Sequence, residues 1–477
     1  MRNQKYGRRA KCLASLASAA VLLGGCATFS SDGGFGPVQN VAAERLGKDA
    51  SWMRSDKDAE AVRAAVKKLL AAPLEVEGAV QVALLNNQGL QATYAELGIA
   101  EAGLVQAGRL RNPGFSFARL HGSDGVEIDR AILFDVLGLL TMPVRTDLEK
   151  RRFALVQGRV AVELMQVAAD TRRAWVSAVA ADQGVKYMAQ VKEAAEASAE
   201  LARRMAAAGN LSKLDQAREQ AFYAEVTAQL ARAKQAALAE RERLTRLMGL
   251  WGEDTRFALP ERLPELPQAA TEAADIEQRA MARRLDVQGS MQEARNVAAS
   301  LGLVRATGLV DVLELGYQRN SLPDAARQSG YEIDLRLPIF DWGGARVARA
   351  QFTYMQAVNR AADIAVRARS EVREAYGAYR TGYDLAKHYR DEIVPLRKRI
   401  SDENVLRYSG MLISVFELLA DARQQIASVN AYIDALRDFW VADSDLNMAL
   451  NGASPGSLRS GGPIAMPLSA AEQVSGR

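Results

Sequence analysis

Two runs of this chain place apolar side chains at every third or fourth position over unusual lengths. The first comprises Phe153, Val156, Val160, Leu164, Val167, Thr171, Ala174, Ala178, Ala181, Val185 and Met188. The second passes from Val347 through Ala350, Tyr354, Val358, Ala361, Ala365, Ala368, Val372, Ala375, Tyr379, Gly382, Ala386, Tyr389, Ile393 and Leu396 to Ile400. A spacing of about 3.5 residues belongs to helices whose apolar seam stays turned toward a partner, as in a left-handed coiled coil. It predicts one long helix from about Pro143 to Ala208, broken by Gly209-Asn210 and returning to about Leu250. Another restarts at Gly343-Gly344, is bent by Pro395, ends at a left-handed Gly410 cap and returns to about Leu450. Two residue stretches preceding these, about 74–111 and 271–303, carry amphipathic helical patterns of their own.

Between helices the period shortens to two. Phe115 and Phe117 alternate with small or polar residues, and Ile128, Ile132, Phe134 and Val136 recur up to Gly138. Tyr331, Ile333, Leu335 and Leu337 likewise alternate with Glu332, Asp334 and Arg336. These read as two hairpins, at about 113–138 and 308–338. The order helix, hairpin, long helix, returning helix therefore occurs twice, with Gly114 matching Gly308, Asp135 matching Asp334 and Gly209 matching Gly410. The predicted organisation is a first repeat at 74–250, a linker spaced by Pro260 to Pro267 within 251–270, and a second repeat at 271–450.

Composition changes the picture mainly at the ends. Arg2, Lys5, Arg8, Arg9 and Lys11 precede an apolar stretch, Leu13 to Leu23, which is the pattern of a secretory signal over residues 1–25. Leu23-Gly24-Gly25-Cys26 resembles a bacterial lipobox, although glycine two residues before the cysteine departs from the usual Ala or Ser. That resemblance implies a covalent lipid such as palmitate on Cys26; residues 26–73 read as a tether, Gly/Ser-rich from Ser30 to Pro37 and then polar and weakly helical. Taking the five signal charges from 61 basic residues leaves 56 against 57 acidic, so the nominal +4 is no nucleic-acid signature. With only His121, His388 and two cysteines, a His/Cys metal site is not expected, nor any other cofactor. Asp443 and Asp445 lack a neighbouring histidine, nucleophile or glycine-rich loop and read as a solvated helix face, so no enzyme is expected. Residues 451–477 read as a disordered tail.

Strands of eight to ten residues are long enough to cross a bilayer in a tilted barrel. Four strands cannot close such a barrel, and an open edge in lipid leaves backbone groups unsatisfied at several kcal/mol each. Three copies would bring twelve. Helices of about 65 residues, on the order of 100 Å, exceed any globular core and suit a hollow tube of antiparallel helices.

Several motifs then fit one family. Asn87, Leu90, Ala100, Gln106-Ala107-Gly108 and Arg111-Asn112-Pro113 resemble the opening of TolC-type outer membrane efflux proteins. Leu337-Pro338-Ile339-Phe340-Asp341-Trp342-Gly343-Gly344 is similar to that family's second strand-to-helix junction, and Ile393-Val394-Pro395-Leu396 with Tyr408-Ser409-Gly410 to its second helical hairpin. The resemblance covers about residues 75–450. It implies a mainly α fold with a membrane β-barrel, twelve-stranded as a homotrimer, continuous with a periplasmic helical tunnel. The lipid-anchored chain would sit in the outer membrane and export drugs or metal ions. Its partners would be outer membrane lipids, a periplasmic adaptor and an inner membrane pump of the resistance-nodulation-division type, with no nucleic acid. By the same resemblance Glu417, Asp421 and Asp215 are candidates for an acidic periplasmic aperture. Gly209, Asn210, Gly410 and Met411 form helix-hairpin tips for adaptor contact, while Tyr317, Tyr331, Phe340 and Trp342 suit an aromatic belt at strand ends. A type I protein secretion duct, or a non-channel periplasmic coiled-coil adaptor, are the alternatives.

Overall fold

The computed structural model describes residues 28–455 except 123–124, 273, 307–311, 322–325 and 336–339. The signal segment, Cys26, Gly308, Leu309, Leu337 to Ile339 and all but the start of the tail lie outside the described residues. In chain order the structure contains α1 (Gly36–Val41, continued by a wider turn Ala42–Leu46), α2 (Asp56–Leu69), α3 (Val76–Asn86) and α4 (Gln88–Ala107). Strands β1 (Gly114–Gly122) and β2 (Gly125–Asp135) follow, then α5 (Val136–Ala207) and α6 (Lys213–Met248). The second half has α7 (Ile276–Arg283), α8 (Leu285–Ala306), β3 (Leu313–Ser321), β4 (Gln328–Leu335), α9 (Gly344–His388), α10 (Val394–Ser409) and α11 (Val415–Asn451). The expected twofold plan is present.

Chain contacts divide the molecule into two units. One, formed by residues 1–62, 88–164 and 285–366, carries the strands, joined in the order β1-β2-β3-β4 with every pair antiparallel. Its helices bury Leu90, Tyr94, Leu97, Val160 and Leu164. The expected loose tether is corrected here. Phe35, Val38 and Ala42 are buried, with the Phe35 ring edge-on to Tyr94 at 4.8 Å. Ser30 N–H donates to the Glu101 carboxylate at 2.6 Å, and Gln157 Nε2 donates to the Gly34 carbonyl at 2.8 Å. Apolar burial of Phe35 and Val38 offsets the ordering entropy that a Gly/Ser-rich composition alone argues against.

The other unit, residues 63–87, 165–284 and 367–477, is helical. Its core runs through Thr171, Ala174, Trp175, Ala178 and Met188 of α5, the later half of the first predicted seam, and Ala368, Val372, Ala375 and Tyr379 of α9, the middle of the second. Toward its two ends the second seam surfaces: Tyr354, Val358, Leu396 and Ile400 are exposed. The linker is fixed by polar anchors. Tyr383 Oη donates to the Gln268 carbonyl at 2.9 Å, Trp440 Nε1 to the Pro264 carbonyl at 3.1 Å, and Thr271 N–H to Tyr379 Oη at 3.0 Å.

Four boundaries differ from the periodicity, each for a local reason. The helix expected over 74–111 breaks at Asn87, because Asn87 Nδ2 reaches the Leu247 carbonyl at 2.8 Å and Asn86 Nδ2 those of Met248 and Gly249. These amides satisfy the otherwise orphaned carbonyls at the end of α6. The helix expected over 271–303 breaks at Arg284, which is 1% exposed and paired with Glu371 at 2.9 Å. α5 begins at Val136, upstream of Pro143, because the Asp135 carboxylate accepts from Gly138 N–H at 2.6 Å and caps the helix directly at the strand end. A wide turn, Tyr389–Ile393, sits just before Pro395, where the proline removes a helical donor.

Duplication extends to charge. Arg172 pairs with Glu77 at 3.1 Å and Arg373 with Glu277 at 2.8 Å, about 200 residues apart in both members. Asp445, expected on a solvated face, is instead buried and ion-paired with Arg173, because α11 turns that face inward. Burial also raises the pKa of Asp443, opposed by the Arg172 charge and the Asn447 amide.

Three outcomes are expected. Arg284→Ala strands Glu371 and lowers stability by about 3–5 kcal/mol, and Gly249→Ala, at φ +65° with its Cβ 2.6 Å from the Asn86 carbonyl oxygen, by at least about 2 kcal/mol; helical circular dichroism on heating in detergent reads both. For Asp443 the folded state holds its proton more tightly than the unfolded chain, so its contribution to stability falls as pH rises above the unfolded carboxylate value of 3.8. Asp443→Asn should flatten that part of the stability curve, and an unchanged slope would refute the assignment.

Candidate functional site

The turns between paired helices are built alike in both repeats. Asn210 N–H donates to the Met205 carbonyl and Gly209 N–H to that of Ala206. In the second repeat Leu412 N–H donates to the Arg407 carbonyl and Met411 N–H to that of Tyr408. Every partner is displaced by 202 residues, so Met411 is the counterpart of Gly209. Gly209 has φ +80° and Met411 φ +58°, whereas Gly410 has φ −82°. The expected left-handed Gly410 is therefore corrected: Met411 takes the strained position, and its side chain is 94% exposed. The one-residue shift in the cap is invisible to a search for glycine.

Beyond each turn a serine starts the next helix. Ser212 Oγ accepts from Asp215 N–H at 3.1 Å and donates to its carboxylate at 2.6 Å. Ser414 Oγ accepts from Glu417 N–H at 3.3 Å, and Ser414 N–H donates to the Glu417 carboxylate at 3.2 Å, a reciprocal capping box. Both carboxylates stand at a helix N-terminus, where the helix dipole favours negative charge. Asp215 also pairs with Arg218 at 3.2 Å, whereas Glu417 is exposed. Asp421, one turn on, is buried, and its Oδ2 has no hydrogen-bond partner among the described residues. It does not share the exposed setting of Glu417.

Next to these helix starts, α5, α6 and α11 enclose a groove of about 840 Å³. Arg423 lies over the Phe222 ring at 4.2 Å and 3.9 Å from the buried Glu219, which accepts from Ser198 Oγ at 3.0 Å. Sequence reading missed Glu219, since a lone glutamate on a polar helix carries no signal of burial.

The sheet is two-sided. Side chains alternate across a strand, so the ladder assigns each residue a face. One face carries Phe115, Ile132, Tyr317 and Tyr331 on a single rung and Phe134, Leu315 and Ile333 on another, all exposed. The opposite face carries Glu127, Asp129, Asp135, Glu314, Glu332 and Asp334, with Asp135, Glu314 and Asp334 on one rung and no basic residue among the described strand positions. Tyr317 and Tyr331 lie mid-strand, which corrects their expected place at strand ends; the period-two pattern gave their face but not their register. Phe340 and Trp342 are 99% and 69% exposed.

No helix among the described residues is long and apolar enough to cross a membrane, and no group of three or more His, Cys, Asp or Glu could hold a metal ion. Most of the chain shares its architecture with known proteins. It superposes on a membrane protein from Pseudomonas aeruginosa with a TM-score of 0.69 at 21% identity, covering 79% of this chain and 92% of that one. For the CmeC outer membrane channel of Campylobacter jejuni the TM-score is 0.65 at 15% identity, with 88% and 92% covered. For the open state of the Neisseria gonorrhoeae MtrE outer membrane channel it is 0.66 at 14%, with 80% and 89% covered. The chain has the outer membrane channel fold. Within that fold the apolar face and the acidic face of the sheet are the two sides of a barrel wall, and the resemblance drawn from sequence motifs holds at the level of architecture. No family model matches the sequence. Over 291 residues, 57% of this chain, it is 26% identical to the cobalt-zinc-cadmium resistance protein CzcC of Cupriavidus metallidurans, and the match spans 64% of that relative, just under two thirds.

The matched turns give a direct comparison. Met411→Gly should stabilise the chain by up to about 1 kcal/mol and Gly209→Met should cost about 1–2 kcal/mol. Denaturant unfolding in detergent reads the pair, and equal effects of the two substitutions would contradict the assignment of Met411 to the strained position.

Proposed function

We propose that this chain is the outer membrane subunit of a tripartite efflux system, passing small molecules such as drugs or metal ions out of the cell. The observation that carries this reading is the four-stranded sheet, apolar on one face, acidic on the other, with β1 and β4 at its open edges. Such a sheet is satisfied in a bilayer only when further strands close it. Three copies supply twelve strands, so the working form is a homotrimer. The periplasmic ends of the helices meet an adaptor that links them to an inner membrane pump, the exposed Met411 and Leu412 being placed for that contact. Acylation of Cys26 adds an anchor to the outer membrane.

Among cargoes, cations are favoured. Six carboxylates and no basic residue among the described strand positions of that face give a negative potential that concentrates positive solutes. The likeness to a cobalt-zinc-cadmium resistance protein supports metal ions within that class. Exposed Glu417 and half-buried Asp215 add negative charge at the helix starts; buried Asp421 contributes less.

Two measurements test the proposal. The Cys26→Ala protein should still require detergent for extraction and should conduct in planar bilayers with a preference for cations. Asp215→Asn with Glu417→Gln should reduce that preference without abolishing conductance. A water-soluble Cys26→Ala monomer that passes no current would refute the reading and favour a periplasmic coiled-coil role.

A further inference from the structure

The outward face of the sheet is not apolar throughout. All four strands meet the helical segments at the same end: Gly114 follows α4, Asp135 runs into α5, Leu313 follows α8 and Leu335 precedes α9. Starting there, the outward face shows the rung of Phe134, Leu315 and Ile333, then that of Phe115, Ile132, Tyr317 and Tyr331. The next rung toward the hairpin turns consists of Phe117, Arg130, Arg319 and Ser329, and the one after it contains Arg119, Ile128 and Ser321. Arg119, Arg130 and Arg319 are exposed. The acids of the described strand positions all lie on the other face.

Two physical features make this arrangement need a ligand. Arg130 and Arg319 are directly opposed on neighbouring strands, which places their Cβ atoms about 4.5–5.5 Å apart, and like charges so opposed repel. Guanidinium stays charged at any ordinary pH, so the repulsion cannot be relieved by titration. In a membrane the same side chains cannot lie in hydrocarbon, where an outward arginine is costly at the midplane and tolerated only near the interface. The change from Tyr317 to Arg319 along β3 therefore marks the hydrocarbon boundary. What lies at that boundary is the phosphate-bearing headgroup layer, and a planar guanidinium binds a phosphate through two parallel N–H donors.

We propose that the Arg130/Arg319 rung, with Arg119 one rung beyond, is a docking strip on the outer wall of the barrel for the phosphate groups of an outer-leaflet glycolipid of the diphosphoryl lipid A type. The lipid's acyl chains cover the Phe115, Ile132, Tyr317 and Tyr331 rung below, and its phosphates bridge the opposed arginines. Bound lipid thereby cancels a repulsion built into the sheet. This rests on the proposed membrane function, which puts the hairpin turns at the outer leaflet.

The experiment uses the full chain in detergent, titrated with diphosphoryl lipid A and with the same lipid lacking phosphate, bound lipid being counted by native mass spectrometry. At least ten-fold tighter binding of the diphosphoryl form is expected. That gap should shrink below about three-fold in Arg130→Gln/Arg319→Gln and largely persist in Arg130→Lys/Arg319→Lys. Equal binding of the two lipids by the unmodified chain overturns the proposal without needing any variant to fold. A gap unchanged in the Gln pair overturns it as well, as does displacement of the lipid by millimolar inorganic phosphate, which would make the strip a reader of free phosphate. A barrel that conducts yet shows no headgroup preference sinks only this inference, whereas a chain soluble without detergent sinks the membrane reading on which it rests.

Discussion

Strands β1 and β4 each pair on one side only within the sheet, so two rows of backbone N–H and C=O groups must find partners beyond these four strands. In water such edges are a liability that proteins blunt with charge or short strands. In lipid they are prohibitive, because nothing there replaces the missing hydrogen bonds. The sheet also shows an apolar face to the outside and carboxylates on the other side, so its two faces want different surroundings. Closure with further strands resolves both demands at once, giving each edge a partner and each face its own solvent. The functional reading follows from that requirement more directly than from any single residue.

Charge is distributed to serve the same division. Carboxylates occupy the inward positions of the described strands and the starts of α6 and α11, whereas the arginines of the strands sit outward and beyond the apolar rungs. At the helix starts the acids have a structural task too. Glu417 and Asp215 cap their helices through Ser414 and Ser212, so folding holds fixed the negative charge that a passing cation would meet. Inside the helical unit, by contrast, two acids are ion-paired, Asp445 with Arg173 and Glu371 with Arg284.

The two repeats share a plan but spend their polar residues differently. At the break between the short helices, the first repeat uses Asn86 and Asn87 to satisfy the carbonyls ending α6. The second uses Arg284, which meets Glu371 and reaches Ser454 just past α11. The turn strain likewise differs, glycine at 209 and methionine at 411 occupying one backbone position. A glycine there would be the easier choice, so the exposed methionine occupies the position at a conformational cost.

What the sequence determined by itself is what local periodicity and backbone chemistry control. The 3.5-residue seams located the long helices, alternation located both hairpins, and duplication of these patterns revealed two repeats, because side-chain direction follows directly from helix and strand geometry. Tertiary structure alone decided where those helices stop, since Asn87 and Arg284 leave the helix to reach partners some 160 and 87 residues away. It also decided that residues 28–69 pack instead of hanging free, that Asp445 and Glu219 are buried, and that Arg130 stands opposite Arg319. Each of these depends on which distant segment becomes a neighbour, and strand register in particular is set by pairing across the sheet, which no single strand encodes.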